Sequence, residues 1–404
     1  MILMPKFAKI VGVALAKTAI LFRLGGLGDV IILTVVAREL QKRGYEVDGC
    51  FGSPTCDTKK LLENTKLFRT IYQSGRIFTG LDVYEGEDKD AFSIEFLKNH
   101  YDLVVDYKLS VELNSHYRHI QGQTKEWFQS QSSNYVNWMD IMLGWAGIDP
   151  ATVEDKSPVY IIEPQEREWA DKIIGREKGT IVFTVQLNAS SLVRTWYHPQ
   201  HLPGAIKDAF QVPTKVIIFD GATWHMVKGK SSFPIQIPKE FDPIRASAAL
   251  VGSSDMFVGA DSGFSHIAEA LKVKSLTVYT TVPAWTRMKY YKYSYAIEPE
   301  GDVFDGVHCH PCFVLDRYCP RIRERALKEL TPRELLIKAA AEAQENPASV
   351  AERLGTTPQA ILKEAELLQQ RLNALFEMQA PCSQTITTER IVAKIKEIIS
   401  ENRT

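Results

Sequence analysis

The chain has 404 residues, enough for two or three domains that each bury a core of their own. Its composition, 45% hydrophobic and 24% charged, excludes a wholly disordered chain and a multi-span membrane protein. The 48 basic side chains stand against 49 acidic ones, so no global field draws the protein to nucleic acid or to an anionic bilayer, and any polyanion must be held locally.

The first apolar run, Ile10–Ala16 and then Thr18–Phe22 after Lys17, is shorter than the ~20 residues needed to span a bilayer. Lys6 and Lys9 ahead of it, with Ala14-Leu15-Ala16 at its end, imitate a secretory signal only faintly, and a cytoplasmic protein is expected. From Thr18 a strand, Ala19–Phe22, leads into Arg23-Leu24-Gly25-Gly26-Leu27-Gly28-Asp29 and a helix over Val30–Arg43. A second apolar run, Tyr101–Asp106, continues the alternation, which predicts a parallel sheet covered by helices. The segment 110–147, with Trp127, Trp138 and Trp145, carries no pattern that assigns an element.

Strands are expected again at Thr180–Val185, Lys215–Phe219, Met256–Val258 and Ser275–Tyr279, with helices at Leu202–Phe210 and Pro243–Val251, so a second α/β domain begins near residue 175. Its strands end in polar or glycine-bearing loops, Asp220-Gly221 and Gly259–Gly263, which in open parallel sheets form the ligand crevice. Residues 321–379, rich in Ala, Glu, Leu, Lys and Gln, predict two or three helices with caps at Thr331-Pro332 and Asn346-Pro347. Within them Val350–Pro358 superficially resembles a helix-turn-helix, but no basic recognition helix accompanies it, so a helical insertion without nucleic-acid binding is expected. An amphipathic helix, Thr387–Ser400, closes the chain. The expected domains are 1–174, 175–320, the insertion 321–380 and the terminal helix 381–404.

Three constellations can carry chemistry. In the first, a glycine turn opens a helix, where backbone N–H groups face an anion. The dinucleotide fingerprint is incomplete, because Ile31 stands where the third glycine belongs. Asp48 imitates the ribose-binding acid of that fingerprint, yet Tyr107, Tyr117 and Tyr135 lack a lysine four residues on, which disfavours an NAD-dependent nucleotide-sugar enzyme. Asp29, in the first helical turn, is open to two roles, a helix cap or a general base for a hydroxyl nucleophile.

In the second, Asp261-Ser262-Gly263-Phe264-Ser265-His266 joins a strand to a helix: Asp261 or Ser262 can cap, Gly263 permits close approach and His266 adds an imidazole to a diphosphate site. The third is Cys309-His310-Pro311-Cys312 with Cys319 and Cys382. C-x-x-C sets two thiolates on one turn, as a structural zinc or iron needs; Cys382 is the expected fourth ligand, with His308 or His310 as substitutes. Cys50 and Cys56 have no partner pattern and read as plain thiols.

The Gly28-Asp29 turn, the segment Ser190–Trp196, the block Asp261–Leu271 and the cysteine-rich end together resemble glycosyltransferase family 9, the family of the ADP-heptose lipopolysaccharide heptosyltransferases, including its iron-binding, autotransporter-modifying branch. The resemblance spans roughly residues 18–320 and 381–402. It implies an α/β fold of GT-B architecture, two Rossmann-like domains facing across a cleft, with the acceptor bound mainly by the first and the nucleotide sugar by the second. It implies Asp29 as the base, with Gly28 beside it as a substrate-binding residue, and Ser262, Gly263 and His266 as the donor-phosphate loop. Arg194 stands where the family often has a phosphate-binding lysine, and Ser190 takes the hydroxyl position before it. The chain departs from the family pattern in Val35, where a proline is common, and in residues 1–17, which are additional.

The activity so implied is inverting transfer of a heptose or related sugar from a nucleoside-diphosphate sugar, ADP-heptose first, to a hydroxyl of a glycan, lipopolysaccharide or protein, with no divalent cation required. Work at the inner membrane's cytoplasmic face fits that activity. A non-catalytic GT-B-like binding or assembly protein is the rival reading, and the helical insertion is where a homo-oligomer would form.

Overall fold

The computed structural model describes residues 16–52, 57–73, 94–107, 137–189, 192–196, 198–220, 223–228, 231–300, 319–376 and 381–401. Two sheets organise them, the first wholly parallel and the second mixed. The first has the order β3-β2-β1-β4, from β1 (Lys17–Leu24), β2 (Tyr45–Gly52), β3 (Ile71–Gln73) and β4 (Leu103–Asp106), every pair parallel. Ala19, Leu21, Val47 and Phe51 point to one face, where they meet helix α1 (Leu27–Lys42); Ile20, Phe22 and Cys50 point to the other, which the helix Ile94–His100 covers through Leu97. This alternation is the period-two pattern of a strand buried on both sides.

The sequence of α1 contains Val30-Ile31-Ile32 and Val35-Val36, β-branched runs that on propensity alone favour a strand. Burial from Val30 to Ala37 overrides that preference, and Asp29 starts the helix by accepting the Gly26 N–H. The helix therefore begins at Leu27, three residues before the expected start, and places Gly28 and Asp29 inside its first turn.

The second sheet has the order β11-β10-β9-β5-β6-β7-β8. Strands β5 (Ile181–Gln186), β6 (Thr214–Phe219), β9 (Met256–Ala260), β10 (Lys274–Val278) and β11 (Ser294–Ile297) are parallel, as the sequence predicts for four of them. Strands β7 (Trp224–Lys228) and β8 (Ser231–Pro234) form an antiparallel ribbon that sequence reading missed. Every residue of β8 is exposed, so this edge lacks the apolar alternation that marks a strand. The terminal helix Thr388–Ser400 seals the sheet with Ile391, Ile395 and Ile398, a single stripe at helical spacing.

Residues 320–376 hold four helices, Pro320–Lys328, Pro332–Glu342, Pro347–Leu354 and Pro358–Phe376, where two or three were expected. Each opens on a proline, whose missing N–H costs nothing in a first turn. Thr331 and Asn346 cap as predicted, and Thr357 accepts from the N–H of Ala360 at 3.2 Å. Val350 and Ala351 of the helix-turn-helix-like stretch are buried against Ile337, Ile361, Leu368 and Leu372, so its apolar positions serve a local core. Among the described residues no helix is long and apolar enough to cross a membrane.

Candidate active site

Two helix N-termini meet where the sheets face each other. The first belongs to α1. Gly25 lies at φ +148°, and a Cβ there would stand 2.5 Å from Asp29 Oδ2, so the turn requires glycine. Asp29 Oδ2 accepts the Gly26 N–H at 2.9 Å, and Oδ1 accepts from the guanidinium of Arg23. Burial pushes the Asp29 carboxyl up, but the charge and hydrogen bond of Arg23, then Arg287 and the Gly26 N–H, outweigh it and hold the group below its usual value. Asp29 is an ionised carboxylate, and its side chain keeps 22% of its surface exposed.

The second N-terminus is that of the helix Gly263–Ala270, directly after β9. Its N-cap residue, Ser262, makes no side-chain bond to the helix; Ser262 Oγ donates instead to Gln186 Oε1 at the end of β5, 2.6 Å away. The N–H groups of its first turn therefore lack the usual side-chain acceptor, which is the condition of an anion site. Two arginines flank it. Arg194 Nη1 donates to the Asp261 carbonyl at 3.3 Å and lies 3.9 Å from Asp261 Oδ2, and Arg287 Nη2 lies 3.6 Å from the same oxygen. Asp261 Oδ2 has no hydrogen-bond partner among the described residues, although it is buried between the two cations.

His266 is buried one turn along, its Nδ1 2.7 Å from the hydroxyl of Tyr291. Burial lowers its pKa to about 4, with Arg287 pushing the same way and Asp261 and Asp29 opposing. At neutral pH the imidazole is uncharged and offers a hydrogen bond rather than a charge. A Cβ on Gly28 would stand 2.8 Å from His266 Cδ2, and one on Gly263 would stand 2.6 Å from Leu27 Cγ. Each glycine thus admits a side chain of the opposite helix, and the two N-termini touch.

The surrounding contacts hold this geometry. Asn137 Nδ2 donates to the carbonyls of Trp285 and Thr286 at 2.8 and 3.0 Å, which joins helix Trp138–Trp145 to helix Ala284–Met288. The Arg287 guanidinium lies 3.2 Å from the centre of the Trp138 ring. Tyr290 donates to Asp140 at 2.6 Å, and Lys156 pairs with the same carboxylate at 2.9 Å.

The structure thus brings together Gly28, Asp29, Arg194, Asp261, Ser262, Gly263 and His266 from the sequence-predicted set. Ser190, Cys309 and Cys312 lie outside the described residues, as do His308, His310 and Cys56. Cys319 and Cys382, from opposite ends of the helical segment, fall in one buried cluster with Val193 and Ile322. That cluster adjoins the turn that carries Arg194, whose Val193 carbonyl accepts from Thr280 at 2.5 Å. Among the described residues no group of three or more His, Cys, Asp or Glu side chains is gathered as a metal site.

Asp48, which imitates a ribose acid only by its spacing, is taken up by the sheet. It sits in the middle of β2, wholly buried, and accepts from Arg69 Nε, the Thr70 N–H and the Tyr101 hydroxyl, so it closes the far side of the sheet. Cys50 is buried on that same face. Sequence reading missed Arg23, Arg287, Tyr291 and Trp138. Arg23 had a signal, a cation inside an otherwise apolar strand; the others reach the site only through the fold.

Comparison with known families matches residues 244–299 to glycosyltransferase family 9 (heptosyltransferase), a segment that contains the whole Asp261–His266 block. A search of curated proteins finds no match. Among solved structures the chain is similar to a family 9 glycosyl transferase from Veillonella parvula, at 12% identity over 88% of this chain and 97% of that one, TM-score 0.48. It is also similar to the ADP-heptose lipopolysaccharide heptosyltransferase II of E. coli, at 13% identity over 69% and 90%, TM-score 0.45. A third is the iron-containing dodecameric glycosyltransferase TibC of enterotoxigenic E. coli, at 14% identity over 90% and 81%, TM-score 0.45. The matched segment carries the uncapped helix and the strands on either side of it, so this part of the chain is similar to glycosyltransferase family 9 (heptosyltransferase).

Proposed function

We propose that the protein is an inverting transferase that moves a heptose or related sugar from a nucleoside-diphosphate sugar, ADP-heptose first, to an acceptor hydroxyl. The observation that supports this reading is the meeting of an ionised carboxylate at one helix N-terminus with an uncapped, doubly arginine-flanked N-terminus at the other. Residues 1–174 carry the acceptor side and 175–320 the donor side. As the acceptor oxygen attacks the anomeric carbon, Asp29 takes its proton. The departing diphosphate draws on the N–H groups of the Gly263 turn and on Arg194, with neutral His266 as a further donor. Helix dipole and guanidinium neutralise the leaving group, so the scheme requires no divalent cation. The acceptor is a glycan, lipopolysaccharide or protein hydroxyl, met in the cytoplasm or at the inner membrane's cytoplasmic face.

Cys319 and Cys382, with Cys309 and Cys312, would hold a structural iron or zinc. Its chemistry there is to cross-link: it would tie together the two ends of the helical insertion, beside the turn that carries Arg194. The exposed Leu335, Leu362 and Leu367 on the insertion support a homo-oligomer through these helices.

The test is thermal stabilisation by ADP, ADP-heptose and a panel of other nucleoside diphosphates and their sugars. A ligand at a hundredfold its dissociation constant adds about 2.7 kcal/mol. A shift with one nucleotide sugar that is lost in Arg194→Ala and His266→Ala supports the donor site. No shift with any nucleotide sinks the transferase reading.

A further inference from the structure

Arg23 is wholly buried at the carboxyl end of β1. Such burial is costly unless a partner is fixed beside it, and an apolar residue would fill the place at less expense. Its two terminal nitrogens have different partners. Nη1 donates to the Tyr107 carbonyl at 2.9 Å, and Nη2 donates to Asp29 Oδ1. Nε has no hydrogen-bond partner among the described residues, so the guanidinium is committed through its fork. Tyr107 is itself immobile. It is buried, its hydroxyl donates to the Met142 carbonyl at 2.6 Å, and its ring stacks on Trp145 with centroids 5.8 Å apart.

Capping α1 needs only the Asp29–Gly26 bond. The Arg23 bond is additional, and it acts on the other oxygen, so the carboxylate is pinned at both atoms and loses its rotation about the last side-chain bond. We infer that Arg23 is a positioning residue for sugar transfer: anchored on the Tyr107 carbonyl, it aims the Asp29 carboxylate at the meeting point of the two helix N-termini. The inference rests on the reading of Asp29 as the base. It also accounts for the protonation state, because burial alone would push Asp29 up and Arg23 is the largest influence that brings it down.

The experiment uses the full chain labelled with [γ-13C]aspartate, with Asp29→Asn to identify the Asp29 carboxyl signal. Turnover of ADP-heptose, to water where no acceptor is added, is followed as ADP release. In Arg23→Gln the Asp29 titration midpoint is expected to rise by about one pH unit or more, and the acid limb of the rate profile to follow it. Arg23→Lys, which keeps the charge and loses the fork, is expected to restore most of the midpoint but to keep kcat about tenfold down at unchanged KM. An Arg23→Gln protein that is folded, with midpoint and acid limb unmoved, overturns the inference. If Arg23→Gln does not fold, Arg23→Lys decides: a lowered kcat at wild-type KM supports the inference and a wild-type kcat overturns it. Wild-type turnover in Asp29→Asn would overturn the base itself and the inference with it, whereas wild-type behaviour of the Arg23 variants alone leaves the base reading standing.

Discussion

The two helix N-termini that meet in this protein solve the same electrostatic problem in opposite ways. Both present unsatisfied N–H groups and a positive dipole end. The α1 terminus carries its own anion, Asp29, inside its first turn, tied to Gly26 and Arg23. The terminus after β9 gives its capping serine to Gln186 and keeps its carboxylate, Asp261, outside the helix between Arg194 and Arg287. One end is capped by its own carboxylate, and the other, with no side-chain cap, is the end proposed to receive an anion. A base and a leaving-group site need that asymmetry: the base must already hold its charge, and the diphosphate must bring its own.

The largest expected effect comes from removing the charge at the completed end. Asp29→Asn keeps an acceptor for the Gly26 N–H but cannot take a proton, so turnover should fall by about 10²–10⁴ while ADP-heptose still stabilises the protein. Loss of stability with turnover intact would reduce Asp29 to a cap and dissolve the distinction between the two ends. Initial rates and melting curves on the same preparation separate these outcomes.

How much of this contrast was legible beforehand depends on how local its causes are. The glycine turn before α1 and the Asp261–His266 block announce themselves, since each lies within a few residues of one strand end. Arg194 reached the list through a family likeness, and its place beside Asp261, 67 residues on in the chain, is a product of the fold. Arg287 and Tyr291 arrive from a separate helix and loop, and no spacing rule links them to residue 261 or 266. Asp48 imitates a ribose acid by its distance from the glycine turn, and the sheet shows Arg69 and Tyr101 holding it instead. The β7–β8 ribbon was invisible for a different reason, its exposed edge having no buried face to write an alternating pattern.

A second prediction concerns the charge of the receiving end. Folded His266 resists protonation down to about 4, whereas the unfolded chain takes that proton near the ordinary 6.5. The unfolded state therefore binds more protons between these values, and stability must fall as pH drops through the window, by up to about 3 kcal/mol. Asp29, held low, adds stability that is present above its unfolded value and is lost only at still lower pH. Urea unfolding of wild type and His266→Gln from pH 7 to 4.5 isolates the histidine. The wild-type curve should fall more steeply, and parallel curves would mean that His266 titrates normally and that the receiving end carries a third cation in mild acid.

The smallest effects test whether the two ends are pressed together or merely near. Alanine at position 28, within the first turn of α1, should by helix propensity alone gain about 1 kcal/mol over glycine. Its Cβ, however, would meet His266 Cδ2 at 2.8 Å and the Gly263 backbone at 3.3 Å, and the imidazole is held by Tyr291. With a ring and a main chain in the way, Gly28→Ala should cost about 1–3 kcal/mol despite its propensity. Gly263→Ala meets Leu27 Cγ at 2.6 Å and Leu27 Cβ at 2.7 Å, and the Cβ is fixed to the α1 main chain, so this substitution should cost about as much. Two stabilising substitutions would mean that the N-termini stand apart in solution.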